Sequence, residues 1–165
     1  MPGWSPEIAN EFIRLSVGDR AHLNQLQLQE LVYIAHGWRL ALSGAPLTGD
    51  RPEASETGPM YRRLASALAD YGLDPVLREI TGGDSGNRRI RSDLDQSERD
   101  LIGKVYQCLA SFESWQLSAL TRKGNSPWKQ VFADGAGRSR DIPHKLVEAQ
   151  FVEFFRRSDQ WSSIR

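Results

Sequence analysis

The stretch from Leu26 to Ser43 constrains the fold more strongly than any other part of the chain. It contains no proline and a single glycine, Gly37, and apolar side chains cover most of its circumference when it is drawn as a helix. Asn24 and Gln27 have the spacing of a capping box before it, and Gly44 fits a left-handed cap after it. A helix that is apolar on most sides is buried, so the rest of the chain should pack around this one.

Glycines, prolines and capping residues divide the remainder of the chain into shorter helices. We predict a first helix capped by Ser5, followed by helices at about Pro59–Tyr71, after Asp95, from about Ser114, after Ser126 and from Pro143. Residues 47–60 are predicted to be a connector, and residues 76–91 fit either a small β-hairpin or a loop. The sequence thus predicts a mainly α, compact single domain over residues 1–165, with a core of about 6–155 and six or seven helices around a buried central helix.

The charge balance argues against several classes of protein. The 165 residues carry 21 basic and 21 acidic side chains, whereas a dedicated nucleic-acid binder normally has a clear basic excess. Residues 1–100 hold 11 basic and 15 acidic side chains and residues 101–165 hold 10 and 6. The two parts are therefore expected either to attract each other or to present two differently charged faces. The start of the chain does not resemble a signal peptide, and no apolar run reaches the roughly 18 residues that span a bilayer. These features indicate a cytoplasmic protein with no membrane partner.

The chemistry-bearing residues form no recognisable catalytic or metal-binding pattern. The histidines at positions 22, 36 and 144 lack the spacing of metal ligands, and Cys108 falls on the apolar face of a predicted helix. The glycine-rich run 81–86 lacks the Lys-Ser/Thr pair and the helix start of a phosphate-binding loop. We interpret His36 as a packing histidine and Cys108 as a buried thiol, and we expect no enzymatic activity, no cofactor and no metal site.

Clustered arginines provide a candidate partner surface on the predicted fold. The cluster consists of Arg62, Arg63, Arg88, Arg89 and Arg91. Such a cluster is commonly a solvated surface, and the alternative is a docking site for an acidic partner or for nucleic acid. Acidic residues at positions 84, 93 and 95 dilute the positive charge, which disfavours nucleic acid as the partner.

Five short motifs, in order along the chain, resemble one known family. The segment Leu28–Trp38 reads LQELVYIAHGW, and Pro46-Leu47 and Gly58-Pro59 follow it. Leu117–Thr121 and Ser126–Trp128 come later in the chain. Together they resemble the Panacea domain of SocA-like antitoxins, to which GepA-like phage-associated proteins are related. The resemblance extends over about residues 6–155.

The chain departs from this family pattern at four positions. The family usually has a lysine where this chain has Glu30, and a histidine where it has Arg122. It usually has tryptophan and tyrosine where this chain has Ser55 and Thr57.

The resemblance implies an antitoxin that neutralises a cognate protein toxin, encoded beside it, by direct binding. It also implies a phage, prophage or other mobile element as the source, and no shared catalytic activity. An alternative is a phage accessory protein that binds a host protein, and nucleic-acid binding is disfavoured further. The motif residues, with structural or partner-binding roles, are Leu28, Leu31, Tyr33, His36, Gly37, Trp38, Gly58, Pro59, Ser118, Thr121, Pro127 and Trp128.

Overall fold

The computed structural model describes residues 2–82 and 88–157, and in these residues the fold is mainly α-helical. The helices are α1 (Ser5–Gly18), α2 (Gln25–Ser43), α3 (Arg62–Leu68), α4 (Gln96–Leu109), α5 (Ser114–Arg122), α6 (Pro127–Phe132) and α7 (His144–Arg157). Short strands β1 (Glu53–Ser55), β2 (Gly58–Met60), β3 (Thr81–Gly82) and β4 (Arg88–Arg89) form two antiparallel hairpins. This confirms the predicted fold class and its number of helices.

Helix α2 lies at the centre of the molecule, as its sequence predicts. Helices α1, α3, α4, α5 and α7 all contact it, and its residues from 27 to 38 are buried without interruption. Its capping box is formed, because the Asn24 side chain accepts from the Gln27 amide at 2.9 Å and the Gln27 side chain accepts from the Asn24 amide at 2.9 Å. Gly44 ends the helix in the left-handed conformation, with φ at +69°. Local capping therefore fixes both ends of the central helix.

Helix α7 packs against the glycine of α2. A Cβ atom added at Gly37 would lie 2.2 Å from the ring of Phe151, so only glycine allows this approach. Phe151 also meets Trp38 edge to face, with ring centroids 5.6 Å apart. Both aromatic side chains are fully buried, and close packing across the glycine joins the last helix to the centre of the core.

Two helix starts differ from the sequence prediction. The cap of α1 is Trp4 rather than Ser5, and the Ser5 hydroxyl donates to Asp50 at 2.5 Å instead of capping the helix. Helix α3 begins at Arg62 rather than near Pro59, because Gly58 and Pro59 belong to strand β2. In both cases a long-range interaction overrides the local signal.

The predicted connector 47–60 contains the first hairpin, which no pattern in the sequence indicates. Glu53 pairs with Met60 and Ser55 with Gly58. The chain after β2 is held by a side chain of α2: the Gln29 amide donates to the carbonyl of Tyr61 at 3.1 Å and accepts from its backbone amide at 2.8 Å. This buried amide replaces a strand as the hydrogen-bond partner of Tyr61.

The segment 76–91 adopts the hairpin alternative where it is described. Thr81 pairs with Arg89 and Gly82 with Arg88, while residues 83–87 lie outside the described chain. The chain that leads into this hairpin is held by Asn10 of α1. The Asn10 side chain donates to the Ile80 carbonyl at 3.0 Å and accepts from the Ile80 amide at 2.7 Å. No helix in the described parts of the chain has the length and apolar character required to cross a membrane.

Candidate functional site

A groove of about 950 Å³, called the main groove below, opens between the start of α2, the β1–β2 hairpin, α3, α5 and α6. Most of its lining surface is apolar. Its walls come from segments far apart in sequence, and they include Leu26, Glu30, Pro59, Trp115, Arg122 and Trp128. The main groove is therefore a product of tertiary packing, with the central helix at its base.

Glu30 provides a buried carboxylate that lines this groove. It is 5% exposed, and its Oε2 atom accepts a hydrogen bond of 2.7 Å from the Thr121 hydroxyl. Within residues 2–82 and 88–157 no group donates to the other oxygen, Oε1. Gly58 lies beside that oxygen with φ at +125°, and a Cβ atom there would come within 3.2 Å of Oε1. Glycine at position 58 thus satisfies the backbone and leaves space next to the carboxylate.

The burial of Glu30 changes its acidity. Desolvation disfavours the charged form of its carboxyl, and the hydrogen bond from Thr121 and the positive charge of Arg122 offset only part of this effect. The net result is a carboxyl pKa that is raised from 4.5 to about 7. Glu30 is consequently divided between its protonated and ionised forms near neutral pH.

One wall of the main groove is built on Trp128. Its indole nitrogen donates to the carbonyl of Ser55 at 2.6 Å, and its ring stacks on Phe132 with centroids 4.9 Å apart. The guanidinium of Arg122 lies 4.4 Å from the ring centroid of Trp128, a cation–π distance. Helix α6, the β1–β2 hairpin and α5 are thereby joined at one indole ring.

The rim of the main groove combines exposed apolar and basic side chains. Trp115 is 71% exposed and Leu26 is 37% exposed. Lys123 and Lys129 add positive charge, whereas the carboxylate of Glu56 is engaged by Arg138 at 2.6 Å. A large exposed tryptophan beside an apolar groove is typical of a protein-interaction site.

The motif residues fall into two groups in the structure. One group is buried in the core where α2 meets its neighbours, namely Leu28, Leu31, Tyr33, His36, Gly37 and Trp38. The other group lies in or next to the main groove, namely Gly58, Pro59, Ser118, Thr121, Pro127 and Trp128. Sequence reasoning did not distinguish these groups, because the groove is formed by segments that meet only in three dimensions.

The four departures from the family pattern also converge on the main groove. Glu30, Thr57 and Arg122 line it, and the Ser55 carbonyl holds the indole of Trp128. The four departures are visible in the sequence, but only the fold shows that they lie together. Scattered substitutions thus gather on one surface.

His36 occupies a fully enclosed position away from the groove. Its Nδ1 atom accepts from the backbone amides of Leu47 and Thr48, each at 3.3 Å, so Nε2 carries the proton and donates to Nδ1 of His144 at 3.0 Å. Burial, together with the smaller effect of the nearby His144, lowers the pKa of His36 from 6.5 to about 3. Both ring nitrogens of His36 are therefore satisfied within the core, and its packing role stays a prediction.

The predicted arginine cluster lies on another surface. Arg62 and Arg63 line a second, smaller groove with the β3–β4 hairpin, whose strand β4 contains Arg88 and Arg89; Arg91 follows β4 and is exposed. We call these five arginines the arginine surface.

Several charges of the arginine surface are already occupied within the chain. Arg62 makes two hydrogen bonds to Glu53, at 3.0 and 2.9 Å, and Arg89 lies 3.7 Å from Glu79. The guanidinium of Arg63 covers the ring of Trp4 at 3.8 Å. That the arginine surface binds a partner stays a prediction.

The described chain offers no site of the kind that holds a catalytic metal. Among residues 2–82 and 88–157, no three His, Cys, Asp or Glu side chains gather closely enough to bind a metal ion. Cys108, expected to be a buried thiol, is half-buried on α4.

Comparisons with known proteins identify a family. The family model described as antitoxin SocA-like, Panacea domain, matches residues 28–129, which include α2 from Leu28 onward, the strands of both hairpins and the lining of the main groove except Gln25 and Leu26. The protein "Antitoxin SocA" of Caulobacter vibrioides (strain NA1000 / CB15N) is 25% identical over 146 residues, covering 81% of this chain and 72% of that protein. No solved structure matches the chain. Since the family model covers more than half of the sequence, the chain belongs to the family of SocA-like antitoxins that carry the Panacea domain.

Proposed function

We propose that this chain is a non-catalytic antitoxin that neutralises a protein toxin by binding it directly through the main groove. The observation that carries the proposal is Trp115, a tryptophan that is 71% exposed on the rim of a mostly apolar groove. A tryptophan gains a large contact area when a partner covers it, and such residues dominate the binding energy of many interfaces. Membership in an antitoxin family supports a toxin as the partner.

The proposal also explains how the motif residues are distributed. The buried group holds α2 in place, while the groove group presents a surface on the same scaffold. Specificity toward one toxin then depends on a few groove side chains, and the core is unaffected when these change.

The protein encoded beside this chain in its genome is the proposed toxin, and co-expression tests the proposal. We expect that this protein arrests growth when expressed alone, that the antitoxin restores growth, and that the two proteins copurify. Trp115→Ala should weaken the complex at least tenfold. Trp4→Ala is the matched control, because Trp4 is 43% exposed and lies at the arginine surface. A harmless neighbour, or a toxic neighbour that does not copurify with the antitoxin, would contradict the proposal.

A further inference from the structure

We propose that Glu30 is the specificity-determining residue of the main groove and accepts a hydrogen bond from the side chain of a partner tyrosine or tryptophan. The partner segment would carry Asp or Glu beside that aromatic residue, facing Lys123 and Lys129. This inference rests on the proposed function only for the identity of the partner protein. The chemistry of the segment follows from the groove itself.

The first observation is the incomplete hydrogen bonding of Glu30. The Thr121 hydroxyl is the only donor that the described residues supply, and it contacts Oε2. Glu30 as a whole is 5% exposed, and Oε1 keeps a small accessible surface, so few water molecules can solvate it. A poorly solvated carboxylate oxygen that has no donor among the described residues gains from a donor on a ligand.

Access to that oxygen is the second observation. Gly58 stands next to Oε1, and any larger residue would place a Cβ atom 3.2 Å from it. Glu30 also lines the main groove together with Thr57 and Pro59. A donor entering the groove can therefore reach the carboxylate.

The third observation concerns the shape and polarity of the space. The groove encloses about 950 Å³, which accommodates a large side chain and its neighbours. Its walls are mostly apolar and include the Glu30 carboxylate as an acceptor. Tyrosine and tryptophan match this arrangement, because each buries a large apolar ring and carries one hydrogen-bond donor.

Charge decides between a neutral and a cationic donor. Arg122 already lies near Glu30 and lowers its pKa, so the carboxylate has a positive neighbour. Lys123 and Lys129 line the same groove. A partner lysine or arginine would face all three cations, whereas a neutral O–H or N–H would not. Acidic residues beside the aromatic anchor would instead be attracted to the two lysines.

Random-peptide display on the purified 165-residue chain tests the inference without knowledge of the toxin. We expect the selected peptides to share a tyrosine or tryptophan flanked by Asp or Glu. Selection on Glu30→Met, which removes the acceptor and keeps an unbranched side chain, should give phenylalanine and leucine as often as tyrosine. Selection on the Lys123→Glu/Lys129→Glu double variant should lose the acidic flanks.

A pair of synthetic peptides that differ by Tyr→Phe then measures the hydrogen bond itself. At pH 8, where the Glu30 carboxyl is mostly ionised, the tyrosine peptide should bind the unaltered chain about tenfold more tightly, as expected for a hydrogen bond to a charged group. On Glu30→Met the two peptides should bind equally. The affinities of the two peptides for the two proteins together form a double-mutant cycle. Glu30→Gln keeps an oxygen at the same place and should retain about a threefold preference. Trp115 fluorescence reports binding in each case, with Trp4→Ala as the background to remove a second exposed tryptophan.

The possible outcomes separate this inference from the proposed function. Peptides without a shared aromatic residue, a motif rich in Lys or Arg, or an unchanged tyrosine preference on Glu30→Met would each overturn the inference. If Glu30→Met does not fold, the Tyr→Phe pair on the unaltered chain and on Glu30→Gln still decides the question. A toxin that binds this chain equally well with Trp115→Ala would overturn the use of the groove by the toxin, whereas the peptide results would stand.

Discussion

Glu30 and His36 lie on the same helix, roughly two turns apart, and both are buried, yet their surroundings differ. His36 has partners on both ring nitrogens, from the 47–48 backbone and from His144. Glu30 has one donor, Thr121, and lines an open groove. One end of α2 therefore serves the core alone, while the other end keeps an unused acceptor at a surface. A buried polar side chain on α2 can thus stabilise the fold, as His36 does, or form part of a candidate binding site, as Glu30 does.

The pH dependence contributed by His36 is the largest effect expected from this comparison. Its pKa is about 3 in the folded chain and 6.5 ordinarily, so the unfolded state alone takes up a proton as the pH falls below 6.5. Below pH 6.5 the free energy of unfolding should therefore fall by about 1.4 kcal/mol per pH unit. The total loss should be about 4 kcal/mol near pH 3.5. Chemical denaturation between pH 4 and 8 checks this against His36→Asn, whose side-chain oxygen can replace Nδ1 as the acceptor. Parallel curves for the two proteins would show that His36 is not responsible.

Glu30 should produce a smaller effect of opposite sign. Its folded pKa of about 7 lies above the ordinary 4.5, so its contribution is favourable at low pH and is lost as the pH rises from 4.5 through 7. Relative to the unaltered chain, Glu30→Gln should become more stable by about 3 kcal/mol across that window. The free energy of unfolding of both proteins at pH 5 and pH 8 measures the difference. A difference independent of pH would mean that the Glu30 carboxyl titrates normally.

The packing at the core end of α2 can be tested with two glycine substitutions. Gly37→Ala places a methyl group against the Phe151 ring and should cost about 2 kcal/mol. Gly103→Ala in α4 is the matched control, because nothing lies within 4 Å of its Cβ position. That change should raise stability by about 0.5 kcal/mol or more through helix propensity. Thermal unfolding shows whether each substitution lowers or raises the stability. If Gly37→Ala leaves the stability unchanged, the tight contact with Phe151 is disproved.

The groove end should be nearly insensitive to loss of its exposed tryptophan. Trp115→Ala removes a side chain that is 71% exposed, so we expect the free energy of unfolding to change by less than about 0.5 kcal/mol. Binding to the toxin or to selected peptides should fall in the same variant. Unfolding and binding measured on one preparation distinguish these effects. A large loss of stability would place Trp115 among the structural residues.

Local signals explain which parts of the fold were predictable. The caps at Asn24, Asp95 and Ser126 each depend on residues within one helical turn, and all three are formed. The β1–β2 hairpin depends instead on Gln29 of α2 and Trp128 of α6, which contact it only after folding. Short strands held by distant side chains leave no periodic pattern in the sequence.

The candidate site was predictable only in its parts. Residues such as Thr121 and Trp128 stood out by their motifs, but nothing local places them beside Glu30. The arginine surface attracted attention because adjacent arginines are visible in a sequence, whereas a groove assembled from residues 25–30, 56–60 and 114–129 is not. The acidic partners of the arginine surface, such as Glu53 for Arg62, are not adjacent to the arginines in the sequence, so the sequence does not reveal them.

The side-chain amide of Gln29 holds the chain after β2 through two hydrogen bonds to the backbone of Tyr61. The side-chain amide of Asn10 makes the same two hydrogen bonds to the backbone of Ile80. Such anchoring is indifferent to the side chains on the anchored segment. The exposed residues at the tip of the groove-facing hairpin, Glu56 and Thr57, can therefore be exchanged while the wall keeps its position. For protein engineering, this tip is a place where sequence variation can be displayed on a fixed frame, with Gly58 retained. The same property would let natural variation alter the groove without rebuilding the core.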